Sequence, residues 1–140
     1  MSRLLATLAL ITTVALSADV ALASSPNYLV GDCQRSQRQP STVILTCADA
    51  GLSIQKITWS SFGGGTASGT GSAHINSCTP DCAAGKFGDY PVQITASKPK
   101  RCREGKSDYR QLKLTYTAKR PPGVSRSKSS QTYTLSCPIS

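Results

Sequence analysis

Beyond residue 40 the chain alternates apolar and polar residues with a period of two, the pattern of strands buried on one face. Residues 42–47, Thr-Val-Ile-Leu-Thr-Cys, are rich in β-branched side chains and predict a central strand. Asp49-Ala50-Gly51 then supplies a turn. Residues 54–62 place Gln55, Ile57 and Trp59 on one face and Lys56, Thr58 and Ser60 on the other, so a half-buried strand with Trp59 inward is expected. Gly63-Gly64-Gly65 breaks the pattern. It resumes over 66–75, where Ala67, Gly69, Gly71, Ala73 and Ile75 alternate with Thr66, Ser68, Thr70, Ser72 and His74. One face of this strand is tiny, which lets another body approach closely. The indole of Trp59 is the expected neighbour, with a glycan or peptide as the alternative filling.

Further strands follow. Val92, Ile94 and Ala96 share a face over 90–97, Leu112, Leu114 and Tyr116 define a strand over 109–117, and Tyr133, Leu135 and Cys137 a last one. A short extended stretch is expected at 28–30. Pro121-Pro122-Gly123 and the serine-rich residues 125–130 read as a flexible connection. No segment after the N-terminal region sustains a 3.6-residue period. Six or seven short strands with Gly, Pro and Ser turns predict an all-β domain: a small antiparallel β-sandwich, immunoglobulin-like or barrel-like, stabilised by disulfides. Cys47 with Trp59 twelve residues later matches the immunoglobulin spacing of strand cysteine and buried tryptophan. Leu135 stands where that fold has its tyrosine, so the likeness is one of architecture.

The N-terminus changes the setting. Arg3, an apolar run over 4–16 and Ala21-Leu22-Ala23 form a secretory signal pattern, predicting a signal peptide over 1–23 and a single β domain over 24–140. The run is shorter than the ~20 apolar residues of a membrane helix, and no later stretch is apolar enough to span a bilayer. A soluble, secreted product is expected. All six cysteines fall after the cleavage site, and an even count in an oxidising compartment predicts three bridges. Joining sequence neighbours gives Cys33 with Cys47, Cys78 with Cys82 and Cys102 with Cys137; a Cys47 to Cys137 bridge is the main rival.

Candidate chemistry is sparse. His74, Cys78, Asp81 and Cys82 fit no common zinc spacing, and thiols held in disulfides are not thiolate ligands. No nucleophile motif accompanies the single histidine, which is expected to be solvated. The sequence therefore predicts no catalytic residue, metal or cofactor. One block stands out: Cys78-Thr79-Pro80-Asp81-Cys82-Ala83-Ala84-Gly85 reads as a cross-linked loop tip. Together with Trp59-Ser60-Ser61-Phe62, the strand carrying Ala67 and Gly69, and Tyr90-Pro91-Val92, this block resembles a family of small secreted actinobacterial proteins with no assigned activity. The resemblance spans residues 42–117. It implies export and a bacterial source and brings no catalytic or binding residue with it.

Charge supplies the functional expectation. The net charge is +9. Residues 98–128 hold eleven Lys or Arg against Glu104 and Asp108, so the whole excess lies in this segment. Lys98, Lys100, Arg101, Arg103, Lys106, Arg110 and Lys113 form the candidate polyanion-binding set. For an exported protein the corresponding partner is an anionic cell-envelope polymer or an extracellular protein. Only Tyr109 and Tyr116 interleave these cations, so specific nucleic-acid recognition is not expected. The alternative class is a small secreted hydrolase or a protein inhibitor using the loop at 79–84.

Overall fold

The segment with the smallest inward side chains is a strand with a long partner on each side. The computed structural model describes residues 27–102 and 105–138. The expected signal peptide and cleavage site, together with Arg103 and Glu104, lie outside the described residues. Eight strands are formed: β1 (Asn27–Val30), β2 (Ser36–Gln37), β3 (Val43–Ile44), β4 (Leu52–Ser61), β5 (Thr66–Asn76), β6 (Phe87–Arg101), β7 (Ser107–Tyr116) and β8 (Ser130–Thr134). No helix occurs among the described residues.

The strands make one sheet in the order β2-β1-β7-β6-β5-β4-β3. Along the outer edge of β7, β1 pairs in parallel with its start, and β8 pairs antiparallel with residues 111–115. The two ends of the path then meet. Gly31, just after β1, accepts a hydrogen bond from the Ile44 amide of β3 at 2.8 Å, and Cys33 is bridged to Cys47 beside it. The result is a curled half-barrel around one core, the barrel-like form of the all-β, disulfide-stabilised fold. Leu29, Val43, Ile54, Ala67, Ala73, Ile94, Ala96, Leu112 and Leu114 are each 0 or 1% exposed within it.

Glycine at the centre has a steric reason. Gly69 lies opposite Trp59, and a Cβ there would sit 2.6 Å from the Thr58 carbonyl and 3.2 Å from Trp59 Cε3. The indole is half-buried and donates from Nε1 to the Pro40 carbonyl at 3.0 Å. From there an edge-to-face series runs through Phe62 to Tyr109, with centroids 5.0 and 5.5 Å apart. The Tyr109 hydroxyl accepts from the Gly63 amide and donates to the Gly64 carbonyl, and the Asn27 carboxamide donates to the carbonyls of Gly63 and Gly64. The glycine turn after β4 is thereby fastened across the open side of the half-barrel.

Two expectations about the strands require correction. Residues 42–47 do not form a central strand. Only Val43–Ile44 is extended, at the end of the path, because Leu45 and Thr46 both turn their amides to the Leu52 carbonyl. In β4, Gln55 does not share a face with Ile57 and Trp59. A bulge between Gln55 and Thr58, with Lys56 at φ 53°, inserts one residue, so Ile54 and Ile57 both reach the core. A similar change of phase occurs further along. Tyr109 and Leu112, three residues apart, are both buried, and Lys98 between their β6 partners has φ 55°.

Candidate functional site

Strand β6 is fifteen residues long and outruns its neighbour. Its pairing with β5 ends at Ser97, whereas its pairing with β7 continues to Arg101. Residues 98–101 therefore run past the end of β5 as one arm of a hairpin whose other arm still buries Tyr109 opposite Pro99, and Lys98, Lys100 and Arg101 are all exposed there. On the other arm Lys106 is half-buried, its ammonium 5.8 Å from the centroid of the Tyr28 ring. Asp108, opposite Lys100, is 0% exposed and its carboxylate oxygens have no hydrogen-bond partner among the described residues. The described acidic group at this end is thus withdrawn from the surface, while the cations around it face solvent.

The remaining members of the candidate set are not brought together. Arg110 is engaged by the C-terminal segment: its Nε donates to the Leu135 carbonyl at 2.6 Å and its guanidinium lies 3.1 Å from Cys137 Sγ. Lys113 is exposed on the outer face, opposite Thr95. Thr95 and Lys100 are five residue steps apart along β6, about 17 Å of extended chain. Arg103 lies outside the described residues. Lys119, Arg126 and Lys128 fall beyond the far end of β7, where the Lys119 ammonium lies 5.1 Å from the centroid of the Tyr90 ring. A run continuous in sequence is divided between two ends of the sheet.

The cross-linked tip is held from both sides. Cys78 is bridged to Cys82, Asn76 accepts from the Cys78 amide and donates to the Cys82 carbonyl, and Asp81 caps the Ala84 amide. Residues 77–84 are all exposed. The other bridges join Cys33 to Cys47 and Cys102 to Cys137, so each cysteine is linked to a sequence neighbour. Beside the tip His74 is not a solvated lone residue. The register places it opposite Asp89, with Nδ1 and Oδ1 2.9 Å apart, and its ring stacks on Phe87 at 4.5 Å. The hydrogen bond from His74 holds the Asp89 carboxyl below its ordinary value. Phe87 is 49% exposed, the large apolar side chain most open to solvent among the described residues.

Sequence reasoning did not single out a third feature. On the outer face of β4, β5 and β6 a shallow groove of about 330 Å³ is lined by Thr58, Ser60, Ser68, Thr70, Gln93 and Thr95 over the bare backbone of Gly69. None of these side chains is charged. The polar halves of the strand alternations carry this signal, but any solvated sheet face has the same composition, and only the register shows that the groups converge. No protein-family model, curated protein or solved structure matches the chain. Among the described residues no helix is long and apolar enough to cross a membrane, and no group of three or more His, Cys, Asp or Glu is placed to hold a metal ion.

Proposed function

We propose that this is a secreted, non-enzymatic binding module of the cell envelope that holds an anionic polymer against the projecting end of the β6–β7 hairpin. The observation that carries the proposal is the exposure of Lys98, Lys100 and Arg101 on the stretch of β6 that runs past the end of β5, with Asp108 buried beside them. Three disulfides in one small domain fit an oxidising compartment, in keeping with the signal pattern at residues 1–23 and the resemblance to exported actinobacterial proteins. Flexible cations at the tip of a fixed arm suit attraction to a polymer rather than to a single small anion.

Salt decides the matter. Retention of the secreted protein on purified envelope fractions should fall steeply between about 50 and 200 mM salt, because each neutralised anionic group releases condensed counterions. Replacing Lys98, Lys100 and Arg101 together by Gln should flatten the log–log slope by about three. Elution at low salt with no change in the triple variant would defeat the proposal. The exposed, cross-linked loop at 79–84 would then become the preferred contact, in the manner of an inhibitor loop seated in a partner's cleft.

A further inference from the structure

The outer-face groove adds a chemical class to the polymer. Thr58, Thr70, Gln93 and Thr95 line one concavity, and none of the four side chains has a hydrogen-bond partner among the described residues. The register sets them in rows: Thr58 opposite Thr70, Thr70 opposite Gln93, and Thr95 opposite Lys113. Adjacent strands stand about 4.8 Å apart, so three hydroxyls and a carboxamide are presented at intervals of about one strand spacing. The groove itself is uncharged, but it opens on Lys113 at one side, and β6 leads from Thr95 to Lys98 and Lys100.

We infer that the anionic polymer is a polysaccharide, whose hydroxyls lie in this groove while its acidic groups reach Lys113 and the hairpin end. The inference rests on the charge reading above. Hydrogen bonds to hydroxyls replace bonds to water and add little net affinity, whereas the cations attract any polyanion equally. The two parts therefore do different work: charge supplies affinity, and the groove distinguishes a hydroxylated backbone from a bare one. A polypeptide backbone and DNA offer no comparable row of hydroxyls; RNA, with one 2′-hydroxyl per nucleotide, offers a sparser one. Because about 17 Å separates Thr95 from Lys100, the ligand must be long enough to span both.

The test compares polygalacturonate, which carries carboxylates and hydroxyls, with polyglutamate of matched length, which carries carboxylates and backbone amides but no hydroxyls. The secreted protein should bind polygalacturonate about tenfold more tightly, as expected for a few net hydrogen bonds. Thr70→Val with Thr95→Val should abolish that preference and leave both polyglutamate affinity and the salt slope unchanged. Valine suits exposed strand positions, and a melting curve checks the fold. Should the double variant fail to fold, Gln93→Leu alone should reduce the preference. Equal affinity for the two polymers, or a preference that survives these substitutions, would overturn the inference and leave the charge reading intact. Binding of neither polymer at about 50 mM salt would overturn both.

Discussion

The centre of the sheet and the projecting end of the β6–β7 hairpin are parts of the same strands held by different forces. At the centre, Ala67, Ile94, Ala96, Leu112 and Leu114 are buried with almost no exposed area, and glycine is required where Trp59 crosses β5. There the tolerance for an added methyl group is nearly nil. At the hairpin end, residues 98–101 are exposed and the Asp108 side chain is buried with no hydrogen-bond partner among the described residues. Besides the pairing of β1 with Ser107 and Asp108 and the buried ring of Tyr109, this end is held by a covalent bridge from Cys102 to Cys137, the Cys102 amide on the Lys106 carbonyl, and Arg110 on the C-terminal segment. Packing fixes the centre; cross-linking fixes the arm. Stability and candidate binding should therefore respond to different substitutions.

The largest effect should come from the bridge. Its ends are 35 residues apart, and replacing both Cys102 and Cys137 by Ala should cost about 4 kcal/mol by the chain-entropy estimate. Chemical denaturation of the variant measures this directly. A loss below about 1 kcal/mol would mean that the arm is held by packing after all, and the contrast would fail.

Next in size is the centre. Gly69→Ala introduces a Cβ 2.6 Å from the Thr58 carbonyl and should cost on the order of 1 to 3 kcal/mol through overpacking. Gly65→Ala is the control, since a Cβ there meets nothing within 4 Å. Equal melting midpoints for the two variants would remove the reason given for the glycine.

The sequence made the centre legible and the arm nearly illegible. Strict alternation over 66–75 marked β5 and its tiny face, and the indole predicted to lie on it is there, half-buried over Gly69. Bulges were not visible, because Gln55-Lys56-Ile57 reads as unbroken alternation until pairing with β5 forces an extra residue between Gln55 and Thr58. The 42–47 run misled for a related reason: β-branched residues favour extension, but a strand also needs partners, and only Val43 and Ile44 find one. For the candidate site the cations were legible as a segment but not as a surface. Composition counts Arg110 with Lys100, whereas the fold ties Arg110 to the Leu135 carbonyl. His74 and Asp89, fifteen residues apart, meet only through the register.

Alkaline pH probes the packed side of β7. Tyr116 and Tyr133 both donate to the Gln131 side-chain carbonyl, and burial, with smaller contributions from Tyr133 and Tyr90, pushes the Tyr116 hydroxyl up to about 12 from its ordinary 10.0. Burial raises Tyr133 as well. A group raised in the folded state keeps its full contribution below the unfolded value and loses it as pH climbs through the folded one. Stability should therefore decline between pH 10 and about 12. Tyrosinate absorbance should show two late-ionising residues in the folded protein, and Tyr116→Phe should remove one. Simultaneous ionisation of all tyrosines near the ordinary value would contradict the packing of this edge.

The smallest effect on stability is the one most informative about the arm. Lys98, Lys100 and Arg101 are exposed, so changing all three to Gln should move the unfolding free energy by no more than about 0.5 kcal/mol. Arg110→Gln is the matched contrast. It removes one cation rather than three but leaves the Leu135 carbonyl without its charged donor, and should cost about 1 to 3 kcal/mol. Binding should reverse the ranking: the triple variant loses retention on anionic envelope material, whereas Arg110→Gln, if folded, retains most of it. A triple variant destabilised as much as Arg110→Gln would show that the exposed cations are structural. The arm would then be a continuation of the packed centre rather than a separate surface carried by it.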